Sequence, residues 1–289
     1  EMQRSLVGSE MCIRDRVITE AVRNLCIEAN YYLGDDIKEA LEISKKKETW
    51  KLAEDVLDKI IINSEIACKD EMPICQDTGM ACVFMEIGQD VHLVGGKLED
   101  AINEGVRRGY EEGYLRKSVV GDPIERINTK DNTPAIIYYD ILEGDKVKIT
   151  LAPKGFGSEN MSKIGMLKPS DGIEGVKKFI LETVKAAGPN PCPPMVIGVG
   201  IGGTFDKAAY LAKKALIRPI DIRNKNEFYK ELEEELLEKV NKFGIGPQGF
   251  GGRTTALGLN IEVYPTHIAG LPVAVNINCH ATRHKEIIL

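Results

Sequence analysis

The sequence lacks the features that mark membrane, secreted and nucleic-acid-binding proteins. No apolar run approaches the ~18 residues that a membrane-spanning helix needs, and the N-terminus has no apolar segment of a secretory signal. The 38 Lys and Arg residues are outnumbered by 44 Asp and Glu residues, so the chain has no basic footprint for nucleic acid. We therefore expect a cytoplasmic protein that binds neither a membrane nor nucleic acid.

Closely spaced cysteine pairs are also absent. The seven cysteines are scattered, and none forms the CxxC pair of a zinc ribbon or a ferredoxin. An odd number of cysteines in a cytoplasmic protein argues against a disulfide framework. Each cysteine is therefore expected to be a buried apolar side chain, a metal ligand or a nucleophile. Cys26 lies on the apolar face of a predicted helix and is expected in the core.

Apolar residues recur at helical and strand spacings in an irregular order. Residues 17–70 are predicted to be helical, with further helices at 98–114, 173–187, 205–216 and 226–243. Strands are predicted at 81–87, 135–142, 146–151, 195–201, 257–264 and 272–277. The turn Glu143-Gly144-Asp145 predicts that the second and third of these strands form a hairpin.

This order predicts a mixed α/β fold. A helical N-terminal region is followed by irregular α/β layers with mixed sheets (α+β-like), which is not a regular Rossmann fold. Residues 1–16 show neither the helical nor the strand spacing of apolar residues, and we interpret them as an artefact or a disordered leader. Residues 17–289 are expected to form the functional domain, with 17–70 as a helical N-terminal subregion.

Three cysteines share an unusual setting. Cys75, Cys192 and Cys279 each lie at a loop or a strand end, among proline, glycine and polar residues. Widely separated cysteines of this kind can be assembled by a folded domain into an iron–sulfur site, and three thiolates would leave one iron open as a Lewis acid. On spacing alone, three unrelated structural thiols are the better interpretation.

A glycine-rich segment, IGVGIGGT at 197–204, matches the dinucleotide-binding pattern GxGxxG and has Asp221 downstream. A nucleotide-binding oxidoreductase domain is therefore one alternative function. However, Arg218-Pro219-Ile220 is too short and too broken by proline to be the second strand of such a unit. A glycine turn that faces an anion, or close packing of strand against helix, explains the segment better.

Several polar residues are candidates for binding small carboxylates. Arg116 and Arg126 can bind a carboxylate with two hydrogen bonds, and the loop 154–160 can present backbone N–H groups. His267 and His280 can transfer protons near neutral pH. For each of these residues taken alone, a surface or structural role is the simpler interpretation.

Six segments in order resemble the α subunit of class I fumarases and L-tartrate dehydratases, from about Val17 to the C-terminus. They are PICQDTG (73–79), DNTPA (131–135), KGFGSEN (154–160), PCPPMVIGVGIGGT (191–204), GIGPQGFGG (244–252) and NINCHATRH (276–284). Residues 17–289 are thereby expected to be a cluster-binding catalytic domain of the fumarase type.

The resemblance implies a [4Fe–4S] cluster held by Cys75, Cys192 and Cys279. It also implies that Gln76, Asp77, Arg116, Gly157 and His267 approach the substrate. Asp77 is then the proton-transfer candidate, with His267 as the second catalytic residue. Arg126 is the fallback for Arg116.

The implied activity is that of a hydro-lyase, the reversible hydration of fumarate to L-malate in the tricarboxylic acid cycle. An L(+)-tartrate dehydratase α subunit is the alternative within this class. The resemblance further implies a β part that completes the site. Because the chain ends soon after the third cysteine motif, we expect the β part either to be a separate polypeptide or to have been lost from this sequence. A separate β subunit is expected to form an (αβ)2 assembly with this chain.

Overall fold

A computed structural model describes residues 11–289 and confirms the mixed α/β fold. The described chain divides into two compact units. The first unit comprises residues 11–32, 67–154 and 283–289, and the second comprises residues 33–66 and 155–282. In residues 11–289, no helix combines the length and the apolar character that crossing a membrane requires.

The predicted N-terminal helices are present as α1 (Asp15–Tyr31), α2 (Asp35–Lys47) and α3 (Lys51–Lys69). The structure distributes them between the units, since α1 belongs to the first and α2 to the second. A short strand, β1 (Met11–Arg14), precedes α1. Residues 1–10 of the predicted leader lie outside the described residues, so the origin of 1–16 stays a prediction.

The first unit is built on a four-stranded sheet with the order β10-β5-β2-β4. Its strands are β2 (Met80–Gly88), β4 (Ile136–Leu142), β5 (Val147–Lys154) and β10 (Lys285–Ile288). Helix α4 (Leu98–Glu112) packs closely on α1, because Gly105 and Gly109 bring its backbone against Val22 and Cys26. A further strand, β3 (Val91–Val94), pairs with β1.

The predicted hairpin of the strands at 135–142 and 146–151 is wrong. Both strands exist as β4 and β5, but β2 lies between them, parallel to β4 and antiparallel to β5. The connection between β4 and β5 crosses the end of β2 at Gly88, where a Cβ atom would lie 2.2 Å from the carbonyl oxygen of Gly144. The mostly buried strand β2 gains hydrogen bonds on both edges by this insertion.

The second unit has a mixed sheet with the order β6-β9-β7-β8. Its strands are β6 (Lys163–Leu167), β7 (Met195–Gly202), β8 (Ala256–Tyr264) and β9 (Leu271–Asn278). Its helices are the short α5 (Phe156–Glu159), α6 (Gly172–Ala187), α7 (Phe205–Ala215) and α8 (Glu227–Asn241). Strand β7 is buried along its whole length, parallel to β8 and antiparallel to β9.

The glycine-rich segment packs a strand against a helix. A Cβ atom on Gly198 or Gly200 would lie 2.1 Å from the backbone carbonyl oxygen of Ala212 or Ala208 of α7, respectively. Only glycine allows this approach of backbone to backbone. After α7 the chain enters turns that contain Asp221, and the strand parallel to β7 is β8, far downstream. The βαβ unit that binds dinucleotides is therefore not formed here.

A buried ion pair joins α8 to the neighbouring strand and loop. Glu233 is fully buried and pairs with Arg218, and its carboxylate also accepts the N–H groups of Ile261 at 2.8 Å and Asn224 at 3.1 Å. Burial raises the pKa of the nearby Glu262 carboxyl, whose Oε1 lies 3.6 Å from Nε of Arg218. The charge of Arg218 is thus balanced mainly by Glu233.

We expect Glu233→Gln to lower the free energy of unfolding by about 3 kcal/mol, because it leaves the Arg218 charge without its main buried partner. Urea denaturation followed by circular dichroism measures this difference. Glu234→Gln, at the adjacent exposed position of α8, is the control and should change stability by less than about 0.5 kcal/mol. Equal stability of the two variants would show that the ion pair contributes nothing.

Candidate functional site

The loop 73–79 precedes the central strand of the first unit and is held by buried hydrogen bonds. The Tyr110 hydroxyl donates to the carbonyl oxygens of Thr78 at 2.7 Å and Gly79 at 3.0 Å. The side-chain amide of Asn132 donates to the same Gly79 oxygen at 3.1 Å. Burial raises the pKa of the Tyr110 phenol well above its usual value, so this residue remains a neutral donor.

Three predicted site residues follow one another in this loop. The Asp77 N–H lies 3.4 Å from Sγ of Cys75, and the Cys75 thiol lies 3.3 Å from Oε1 of Gln76. The carboxylate of Asp77 accepts the N–H of Gly79 at 3.0 Å. Hydrogen bonds to sulfur are one means by which proteins tune iron–sulfur clusters. The loop therefore presents a half-buried thiol, an exposed amide and a half-buried carboxylate side by side.

Sequence reasoning did not single out Arg283, which also holds this loop. Its guanidinium is buried and donates to the Asp77 carbonyl oxygen at 2.8 Å. It also donates to Oδ1 of the buried Asn30 at 3.1 and 3.2 Å, while the Asn30 carbonyl accepts the N–H of Ile74 at 3.0 Å. The sequence feature that could have identified Arg283 is its position in the NCHATRH segment.

The backbone of Arg116 is joined to the same loop. The Thr78 hydroxyl donates to the Arg116 carbonyl oxygen at 2.9 Å, and the Arg116 side chain is exposed. Arg126 lies in the exposed segment 121–128, where its N–H donates to the Asp122 carbonyl. The structure thus connects the backbone of Arg116 to the loop of Gln76 and Asp77 through Thr78.

Two of the predicted cysteines come together in the second unit. Cys192 ends the turn before β7, and Cys279 directly follows β9, the antiparallel neighbour of β7. Both cysteines therefore lie beside the same end of these two paired strands, at one end of the sheet. The N–H of His280 donates to the Cys192 carbonyl at 3.2 Å, so the two segments are hydrogen-bonded. Cys192 is exposed and has a left-handed backbone, with φ 55°.

Gln248 is a second residue that sequence reasoning missed. Its backbone N–H and its side-chain amide both donate to the Pro193 carbonyl, at 2.7 and 2.9 Å. The same amide nitrogen lies 3.0 Å from Nδ1 of His280, which is itself 3.0 Å from the Cys192 carbonyl oxygen. Gln248 thus braces both cysteine segments. The sequence feature that could have identified it is its place in the GIGPQGFGG segment.

Gly157 lies beside this edge. A Cβ atom at this position would meet only the Asn190 carbonyl, at 4.0 Å, so the backbone borders open space. Its helix, α5, is anchored by Glu159, which pairs with Lys213 at 2.7 Å and accepts from Asn276 of β9 at 2.6 Å. The second unit therefore joins the segments of Cys192 and Cys279, and it places Gly157 near the Asn190 carbonyl, two residues before Cys192.

His267 lies at the opposite edge of that sheet. It belongs to the exposed loop 265–270, which joins the end of β8 to the start of β9. Its Nδ1 accepts the N–H of Ala269 at 3.1 Å. The second unit does not bring His267 to Cys192 and Cys279.

A cavity of about 560 Å³ in the second unit is separate from these residues. It is lined by one side of α2, by the turn that contains Asp221 and Arg223, and by residues near Arg253. None of the eight predicted site residues lines it. The predicted site residues therefore all lie outside this cavity.

The comparison with known proteins agrees with the motifs. A family model described as "Fumarate hydratase (Fumerase)" matches residues 19–288. The chain belongs to this family. All eight predicted site residues fall within the matched part of the sequence, and the resemblance seen in the six motifs is thereby confirmed.

Named relatives match almost the whole chain. A Methanocaldococcus jannaschii protein named "Putative L(+)-tartrate dehydratase subunit alpha" is 47% identical over 92% of this chain and 95% of its own length. L(+)-tartrate dehydratase subunit alpha of Escherichia coli O157:H7 is 32% identical over 94% of this chain and 90% of its own length. The subunit of that name from Shigella sonnei gives the same three values.

We expect Gln248→Met to loosen the turn that carries Cys192, because the side-chain hydrogen bond to Pro193 is lost. One such bond is worth about 1 kcal/mol, so the rate of Cys192 alkylation by iodoacetamide should rise roughly three- to tenfold. Peptide mass spectrometry of the full chain measures this rate, and the exposed Cys68 is the internal reference. An unchanged ratio of the two rates would contradict the bracing role.

Proposed function

We propose that this chain is the α subunit of an iron–sulfur hydro-lyase that acts on a small 2-hydroxydicarboxylate. The hydrogen-bonded meeting of the Cys192 and Cys279 segments beside Gly157 carries this proposal. The family and the α-subunit names of the relatives support it. The partner is a β subunit in an (αβ)2 assembly, and the location is the cytoplasm.

The donor set fits a [4Fe–4S] cluster. All seven cysteines are thiols, and burial raises the pKa of Cys26, which lies in the core as predicted. Cys75 of the first unit and Cys192 and Cys279 of the second lie instead in loops among polar residues. Residues 11–289 contain no group of three His, Cys, Asp or Glu side chains placed to hold a metal ion. We propose these three thiolates as the protein ligands.

Residues of this chain are assigned the substrate-binding and proton-transfer roles of the proposed reaction. When bound, a cluster with three thiolate ligands supplies an open iron as a Lewis acid. The Arg116 guanidinium binds a substrate carboxylate, and the Gln76 amide donates a hydrogen bond to it. Asp77, held by Gly79 and Arg283, acts in its protonated carboxylic acid form: it donates that proton to the departing hydroxyl oxygen, which leaves as water, and becomes a carboxylate. A base of the β subunit removes the proton from the neighbouring carbon.

The proposed substrate is fumarate, with L-malate as its hydrated form. L(+)-tartrate is the second candidate, because the relatives carry the tartrate dehydratase name. Assays of the αβ complex after anaerobic loading with iron and sulfide distinguish the two by their kcat/KM values. Activity on neither diacid, nor on other 2-hydroxydiacids, would overturn the proposed function.

We expect Cys75→Ser, Cys192→Ser and Cys279→Ser each to lose the cubane, because an alkoxide replaces a thiolate poorly on iron. Visible absorbance and EPR of the reconstituted full chain measure the cluster, together with iron content per chain. Cys68→Ser, which changes an exposed thiol on α3, should leave the spectrum unchanged. A cluster that persists in any of the three variants would remove that residue from the ligand set.

We expect Gly157→Ala to raise KM roughly tenfold at unchanged stability, because the new methyl group enters open space where the substrate is proposed to lie. The matched control is Gly200→Ala, whose methyl group would meet the Ala208 carbonyl and should lower the thermal midpoint instead. Kinetics and calorimetry of both variants measure these effects. An unchanged KM in Gly157→Ala would show that this glycine does not border the substrate.

A further inference from the structure

The cavity of the second unit runs along one face of α2. The α2 residues that line it recur at helical spacing, and they are Asp36, Glu39, Ala40, Ile43, Ser44 and Lys47. The opposite wall is formed by the turn that contains Asp221, by Leu237 of α8 and by the segment 253–257 that leads into β8. A volume of about 560 Å³ is ample for a small ligand.

Hydrogen bonds join α2 to the opposite wall at both ends of the cavity. Near the start of α2, the Asp36 carboxylate accepts the N–H of Ile220 at 3.0 Å. Directly after the last residue of α2, the Glu48 carboxylate accepts the N–H of Arg253 at 2.7 Å. The two walls are therefore fixed to each other by the fold, as in a site that is formed before its ligand binds.

Charges of opposite sign line the two ends. Asp36, Glu39 and Asp221 lie at the end near the start of α2, which we call the acidic end. Lys47 and Arg253 lie at the other, basic end. Eight residues separate Glu39 from Lys47, which at 1.5 Å per residue places the two ends about 12 Å apart along the helix. The cavity is therefore polarised along its length.

The charges of this cavity have no ionic partners in the protein. Within residues 11–289, none of the charged side chains that line the cavity forms an ion pair. Charged residues on the other faces of α2 do pair, since Lys38 pairs with Asp35 and Lys45 with Asp58. The unpaired charges are thus a property of the cavity face, and they are available to a ligand that carries both signs.

Arg223 adds an unmet hydrogen-bond donor to the wall. Its half-buried side chain lines the cavity, and its Nη1 is buried without a hydrogen-bond partner in the described part of the chain. Buried polar groups of native proteins are nearly always satisfied, by water or a bound molecule where the protein offers no partner. The wall therefore lacks a polar partner that an oxygen atom of a ligand, or a water molecule beside it, can supply.

We propose that this cavity binds a small zwitterion whose ammonium and carboxylate groups are separated by an apolar body. The ammonium group lies at the acidic end and the carboxylate at the basic end, so both sets of unpaired charges are neutralised. The body packs on Ile43, Leu237 and Leu257. The inference does not rest on the proposed function, because a dicarboxylate would bring a second negative charge to the acidic end and be repelled there.

Two kinds of molecule share this chemistry, a free ω-amino acid and a short peptide with unmodified termini. Isothermal titration calorimetry of the full chain with 6-aminohexanoate and with trialanine distinguishes them by their affinities. We expect one binding site per chain for at least one of the two probes. Absence of binding by both probes would overturn the inference.

The requirement for both charges is tested with hexanoate and hexylamine. Each keeps the six-carbon body of 6-aminohexanoate but has only one of its two charged groups. We expect each to bind roughly tenfold more weakly than the zwitterion, since one end of the cavity then stays unpaired. Equal affinity of hexanoate and 6-aminohexanoate would contradict the role of the acidic end.

Charge substitutions on α2 locate the site. Lys47→Gln and Glu39→Gln should each weaken the affinity for the tighter zwitterion roughly tenfold, because each removes a charge from one end. Lys46→Gln and Glu42→Gln are the matched controls, since these residues lie on the same helix but do not line the cavity. An equal loss of affinity in the controls would show that the charge of α2 as a whole, and not the cavity, attracts the ligand.

A steric substitution gives a second measure of location. Ala40→Phe places a ring inside the cavity and should abolish binding, and the thermal midpoint of the variant shows that it is folded. Undiminished binding by the folded variant would place the ligand elsewhere and overturn the inference. None of these measurements uses the cluster or the hydro-lyase reaction, so their failure leaves the proposed function untouched.

Discussion

The antiparallel register of β7 and β9 is the constraint on which the second unit depends. Because the chain enters β7 and leaves β9 at the same edge, the segments of Cys192 and Cys279 meet there. The same register places the connection from β8 to β9, and with it His267, at the other edge. Backbone pairing thus decides which functional residues one chain can bring together.

The loops that carry Cys75 and Cys192 are shaped mainly by bonds to backbone carbonyl groups. Tyr110 and Arg283 hold the carbonyl groups of the Cys75 loop, and Gln248 holds that of Pro193. Such bonds position the segments that carry Cys75 and Cys192 through their backbone. The buried thiol of Cys26, by contrast, is surrounded by apolar side chains and contributes to packing.

Much of the fold follows from periodicity, and the errors have physical causes. The long helices and the buried strands carry enough apolar residues to define them, as β7 and α6 do. The turn at 143–145 is local and looks like a hairpin, but its neighbours pair with β2, which lies far away in sequence. For the site, the motifs identified the cysteines. One of the motifs contains Gln248 but does not single it out, because a bond to a backbone carbonyl leaves no trace in the identity of the accepting residue.

Gly198 and Gly200 face Ala208 and Ala212 of α7, so small residues alternate on the strand and recur every four positions on the helix. Both spacings follow from the short distance between strand β7 and helix α7. They also reproduce most of a nucleotide-binding signature by coincidence of composition. A glycine pattern of this kind therefore records the close packing of a strand on a helix, and it does not by itself indicate a nucleotide site.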